Sequence, residues 1–94
     1  MFIDFLIWDD EPGGNYWHIV GAGEVTAEEV EGVLRGHPGG PDDPDDYSAS
    51  SGLPMIFGTT PGGKRIAVIY LDQSDDDTVI IYPVTAYPVP DYGG

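Results

Sequence analysis

The strongest constraint on the fold lies between Leu53 and Val84, where three β-branched and aromatic runs follow one another across short polar breaks. They read Leu53-Pro-Met-Ile-Phe-Gly-Thr-Thr60, Lys64-Arg-Ile-Ala-Val-Ile-Tyr-Leu71 and Thr78-Val-Ile-Ile-Tyr-Pro-Val84. Runs of this composition, bounded by turn residues, predict an antiparallel meander. Thr60-Pro61-Gly62-Gly63 suits a type II turn, with Pro61 presetting φ at the second position and Gly62 accepting a positive φ at the third. Ile66 to Leu71 is apolar at every position, which predicts a strand buried on both faces.

Upstream, Phe2 to Trp8 reads as a first strand interrupted only by Asp4, and Asp9 to Gly14 as a turn cluster. Asn15 is placed to cap a short helix from Tyr16 to Val20 that stops at Gly21. Thr26-Ala-Glu-Glu29 is a capping box, in which the Thr26 hydroxyl and the Glu29 carboxylate each take an otherwise unpaired amide; such a cap contributes about 1 kcal/mol. Val25 and Val30 fit a hydrophobic staple, and Ala27, Val30, Val33 and Leu34 form the stripe that packs on a sheet. Arg35 complements the helix C-terminus, and Gly36 is the expected stop. Residues 37–52, rich in Pro, Gly and Asp, read as a mobile acidic loop. Residues 1–87 thus form one α+β domain: an antiparallel sheet in the order β-α-α-β-β-β with two short helices on one face. Residues 88–94 are expected to be an extended tail, since Pro88 and Pro90 forbid a helix.

Charge decides which partners are plausible. Seventeen acids against three bases (Arg35, Lys64, Arg65) leave a formal charge of −14. Such a surface repels nucleic acid, whose binding depends on cations that displace counterions from phosphates, and it favours a basic protein or divalent cations. The same charge serves solubility. The absence of cysteine removes disulfides, zinc-thiolate sites and thiol nucleophiles. No apolar run reaches the ~20 residues needed to span a bilayer, and the start lacks a basic segment of the signal-peptide kind. The expectation is therefore a cytoplasmic protein with no membrane contact.

Chemistry-bearing residues are few. Asp72-x-Ser74-x-Asp76 matches the first half of a calcium loop, but Asp77 stands where Gly is needed and Pro83 where Glu is needed, so no metal site is assigned. Asp42, Asp43, Asp45 and Asp46 fit a solvated loop better than a cation site. No cofactor fingerprint is present. His18, His37, Lys64 and Arg65 are the groups able to move protons or stabilise an anionic transition state, with Tyr82 and Tyr87 as weak acids. Each also has a plainer reading: His18 on a helix surface or satisfied in the core, His37 serving a helix C-terminus, and Lys64 and Arg65 as solvated charges at a strand start. Tyr82, Tyr87 and Tyr92, interleaved with Pro83, Pro88 and Pro90, are candidate partner-binding residues on an extended segment.

Several stretches together resemble the BrnT toxins of the RelE-like superfamily. They are Ile7-Trp8-Asp9-Asp10, Asn15-x-x-His18-Ile19, Val25-Thr-Ala-Glu-Glu-Val-Glu-x-Val-Leu34, Phe57-Gly58-Thr-Thr-x-x-Gly63-Lys-x-Ile-Ala-Val-Ile-Tyr70 and Val79-Ile-Ile-x-x-Val-Thr-Ala86. The resemblance implies a RelE/BrnT-like fold and descent from small, metal-independent ribonucleases neutralised by an antitoxin. It also implies catalytic roles for His18, Lys64 and Arg65 if activity is retained. The chain departs from that pattern where cations matter: Thr59 and Tyr87 stand where arginines are usual, and Pro88-Val89-Pro90 replaces a basic C-terminal helix. The leading expectation is a non-catalytic or weakly active protein-binding module of toxin–antitoxin type. The alternatives are a divergent ribonuclease toxin and an acidic mimic of nucleic acid that inhibits a basic protein.

Overall fold

The computed structural model describes residues 1–90. Seven elements follow in order: β1 (Phe5–Leu6), α1 (Asn15–Val20), α2 (Ala27–Gly36), β2 (Asp46–Tyr47), β3 (Pro54–Thr59), β4 (Arg65–Asp72) and β5 (Ile80–Pro88). They form a mixed α+β domain with one five-stranded sheet ordered β1-β5-β4-β3-β2.

The meander is present as β3, β4 and β5, each antiparallel to the next. Two features correct the expected fully antiparallel, four-stranded sheet. β1 pairs in parallel with β5, Phe5 opposite Ile80 and Leu6 opposite Ile81. A two-residue β2, within the segment read as loop, pairs with β3 at the other edge. β1 is also shorter than the expected Phe2 to Trp8, because only Phe5 and Leu6 lie in ladder register with β5.

Local chemistry explains most boundaries. The α2 capping box forms in full: the Thr26 hydroxyl accepts from the Glu29 amide at 3.1 Å, and Glu29 Oε1 accepts from the Thr26 amide at 3.0 Å. Gly36 is the last helical residue, as expected, but it does not close the helix in a left-handed conformation; His37 is the C-cap, and its extended backbone (ψ 129°) is the conformation that the following Pro38 imposes. At the β3–β4 connection the positive φ belongs to Gly63 (+88°), not Gly62. The Gly63 amide donates to the Thr60 carbonyl and the Thr60 amide to the Lys64 carbonyl, so the loop is a type I turn closed by a left-handed glycine rather than the type II turn expected.

The core lies between the helices and one face of the sheet. Ile19 of α1 and Val30, Val33 and Leu34 of α2 pack with Ile56, Ile66, Val68, Tyr70 and Ile81. α2 sits so close to β3 that a Cβ on Gly58 would lie 2.7 Å from Val33 Cγ1. Ile66 to Tyr70 is buried at every position, as its composition predicts, but Leu71 is 36% exposed.

β5 carries Pro83 in a strand with neighbours on both sides, a position tolerated only at an irregularity. The register supplies one: Tyr70 faces Pro83 while Ile69 faces Thr85, leaving Val84 as an extra residue. On the β1 side, the carbonyls of Val79 and Ile81 take strand amides from Asp4 or Phe5 and from Ile7. The Pro83 carbonyl takes the Asn15 side-chain amide instead, at 2.8 Å. Asn15 is therefore not the expected helix cap. It is a buried bracket that also donates to the Ile7 carbonyl at 2.9 Å and accepts from the Asp9 amide at 2.7 Å, while Gly14 occupies the cap position.

Candidate functional site

The side chains that alternate away from the core define a second sheet face, which neither helix covers. Cross-strand rows are fixed by register: Met55, Ile69 and Thr85 form one, Phe57, Ala67 and Tyr87 the next, and Leu71 lies opposite Tyr82. Phe5 extends this face across β1, beside Ile80. Phe5 is 58% exposed and Tyr87 38%, while Ala67, between the Phe57 and Tyr87 positions, is fully buried. The centre is thus already dry, and the apolar rim faces solvent.

Charge is nearly absent here. On β1, β3, β4 and β5 the one formally charged residue of this face is Arg65, whose guanidinium lies 5.6 Å from the Phe57 ring centroid in cation–π geometry. Asp46, paired with Met55, adds one carboxylate at the β2 edge. The other acids of residues 1–90 lie in the loops, on α2 and at strand ends.

Tyr82 and Tyr87 both belong to this face, and the reason is the bulge. Five residues apart, they would alternate onto opposite faces of a regular strand; the extra residue at Val84 resets the parity. Tyr92 lies outside the described residues. Phe5, Ile7 and Leu71 join this face as well, and the Phe5/Ile7 alternation is the sequence signal that marks an exposed edge.

The catalytic candidates His18, Lys64 and Arg65 are not joined to one another by any hydrogen bond or ion pair among the described residues. His18 is exposed on α1. Lys64 turns toward α2, where its Nζ donates to Glu29 Oε1 at 3.0 Å and to the Glu24 carbonyl at 2.8 Å. Arg65, the next residue, lies over Phe57 on the opposite side of the sheet. The Lys64 ammonium, then the Thr26 amide, hold the Glu29 carboxyl below its ordinary range. That lysine therefore ties the β3–β4 turn to the α2 cap. His37 is buried: its Nε2 donates to the Asp43 carbonyl at 3.0 Å, and its Nδ1 lies 3.8 Å from Asp45 Oδ2, an oxygen that also accepts the Phe57 amide. Among the described residues no cluster of three His, Cys, Asp or Glu is arranged to hold a metal ion, and no helix is long and apolar enough to cross a membrane.

Tyr70 joins the core to the acidic segment, its hydroxyl donating to the Pro41 carbonyl at 2.9 Å. Burial, reinforced by the Asp72 carboxylate, pushes its phenol up from 10.0 to about 12. The fold therefore favours the protonated phenol, and this contribution is complete below the unfolded value near 10 and lost as pH rises toward 12. Tyr70→Phe is expected to cost about 1 kcal/mol at pH 8 through the lost hydrogen bond. Between pH 10 and 12 the wild type should lose stability that the variant does not, a difference read from urea midpoints across that range.

Comparison of the chain with protein-family models, with curated proteins and with solved structures finds no match. The class defined by the coordinates is a mixed α+β domain with two helices on one side of a five-stranded sheet and an uncovered, almost uncharged face on the other.

Proposed function

We propose that this chain is a BrnT/RelE-like domain that keeps the scaffold without efficient RNA cleavage and binds a protein through the open face of its sheet. The observation that carries this reading is the scarcity of acids on that face, none on β1, β3, β4 or β5 and only Asp46 at the β2 edge, in a chain of net charge −14. Charge distributed for solubility alone has no reason to avoid the one broad surface that neither helix covers. A surface that must be desolvated does, because unpaired charges at an interface centre are costly. The partner that fits is a protein, antitoxin-like in role, with an apolar centre and basic residues around it: the centre meets Phe5, Leu71, Tyr82 and Tyr87, and the basic surround meets the acidic loops. The proposed setting is the cytoplasm. A polyanion does not fit, since Lys64 is committed to Glu29 and Glu24.

A photo-crosslinking residue placed at Leu71 or Tyr87 tests the reading in cells that express the protein. Both positions should give the same discrete adduct with a basic protein, and a crosslinker at Glu28 on exposed α2 surface should not. The purified complex should associate more slowly in salt yet remain formed, because rim charges set the on-rate while apolar burial holds the complex. Absence of an adduct from the face positions defeats the proposal. So does RNA hydrolysis by the purified protein that disappears in the Lys64→Ala, Arg65→Ala double variant.

A further inference from the structure

Away from the open face, both tryptophans of the chain stand around one cleft. Trp8, Tyr16, Trp17 and Asp10 line a hollow of about 510 Å³ between the turn after β1 and the start of α1. Tyr16 stands at 85° to Trp8 with ring centroids 6.0 Å apart, and at 88° to Trp17 with centroids 5.1 Å apart. Rings at right angles cannot merge into one flat stack; they act as walls. The walls are braced. Trp8 Nε1 donates to Glu31 Oε1 at 3.2 Å, and Trp17 Nε1 donates to the Asp10 carbonyl at 2.6 Å. The Asn15 bracket, spanning Ile7, Asp9 and the start of α1, fixes the Trp8 side against the Tyr16–Trp17 side.

Each indole has one donor, and both donors are spent, so the tryptophans offer the cleft only π-surface. The remaining polar residues of the lining are Tyr16 and Asp10, and no basic residue lines the hollow. Ring quadrupoles and a carboxylate both favour a cation and disfavour an anion. A hard metal ion would need several oxygen ligands, and this lining does not supply them. A weakly hydrated cation with an apolar skin needs only what is present. We infer that this cleft is a binding site for a methylated ammonium group of the choline type. The inference stands apart from the sheet-face reading, since none of its four residues belongs to that face.

Because the chain has two tryptophans and both line the cleft, fluorescence excited selectively at tryptophan and the indole N–H signals in NMR report on this site. Choline chloride and tetramethylammonium chloride, at ionic strength matched with sodium chloride, should quench the fluorescence saturably and shift both indole signals. The neutral isostere 3,3-dimethylbutan-1-ol should bind at least about fivefold more weakly, because it keeps the shape and loses the charge. Asp10→Asn and Trp17→Ala, both at exposed positions, should each weaken choline by about fivefold or more, and Asp10→Asn, which keeps the backbone carbonyl that Trp17 uses, should do so with an unchanged thermal melt. Phosphatidylcholine vesicles distinguish the source: co-sedimentation indicates a lipid headgroup, and binding of choline without co-sedimentation indicates a free solute. Equal response to the neutral alcohol overturns the inference, as does a response to choline no different from sodium chloride or one unaffected by both substitutions.

Discussion

Asn15→Ala is expected to lower the stability of the protein by about 3 kcal/mol, because a single buried side chain makes three hydrogen bonds, two of them donated to the backbone carbonyls of Ile7 and Pro83. The Pro83 carbonyl is the sensitive group. It lies on the β1 side of β5, where Val79 and Ile81 receive backbone amides, and the chain leaves the ladder before it can supply a third. Asn15 supplies it from the start of α1, serving as one more rung of β1. Truncation should therefore loosen the parallel edge first. In a domain of this size the loss corresponds to a drop of about 15 °C in melting temperature. Amide exchange at Phe5 and Ile7 should accelerate more than at Val68 in the central strand. Asn15→Asp should be nearly as damaging, since it retains an acceptor for the Asp9 amide and loses both donors. A change under about 1 kcal/mol would show that water replaces the bracket without cost.

The same residue shows why part of the fold was legible and part was not. α2 is written locally: cap, staple, stripe and dipole charges all lie within eleven residues of Thr26, and the structure follows them. The three meander strands are likewise announced by composition and short connections. What joins β1 to β5 is not local. The pairing partners are 75 residues apart, as in Phe5 with Ile80, and nothing in Phe2 to Trp8 states whether they will run parallel. Asn15 has the right chemistry for a cap, and only the position of the Pro83 carbonyl turns it into a bracket. The candidate site divides in the same way. Tyr82 and Tyr87 could be named from composition, but their presence on one face depends on a bulge that Pro83 hints at without fixing. The candidacy of His18, Lys64 and Arg65 rests on side-chain chemistry, which says nothing of direction. Lys64 and Arg65 are neighbours in the chain and point to opposite sides of the sheet.

The protein is expected to be monomeric at pH 7.5 and to self-associate through the open sheet face as the pH approaches its isoelectric point near 4.1. At neutral pH two copies would each bring a charge of −14 to the contact, and repulsion between the acidic loops keeps the apolar faces apart. Protonation of the carboxylates removes that barrier and leaves the apolar rim unchanged. The fold should outlast the change. The Glu29 carboxyl is held below its ordinary value of 4.5, so its contribution to the α2 cap is present above 4.5 and is lost only as the pH falls through the lower folded value. Sedimentation velocity between pH 7.5 and 4.1, with circular dichroism as the check on folding, should show the shift, and raised salt at pH 7.5 should reproduce part of it by screening. Phe5→Ser with Leu71→Ser should suppress association by about tenfold or more, as expected for loss of two exposed apolar side chains at a contact, whereas Glu28→Ser should not. Equal association in the double serine variant would place the contact elsewhere. If the face alone drives assembly once charge is removed, then charge alone keeps it open at neutral pH, and a partner bearing cations around an apolar centre satisfies both conditions at once.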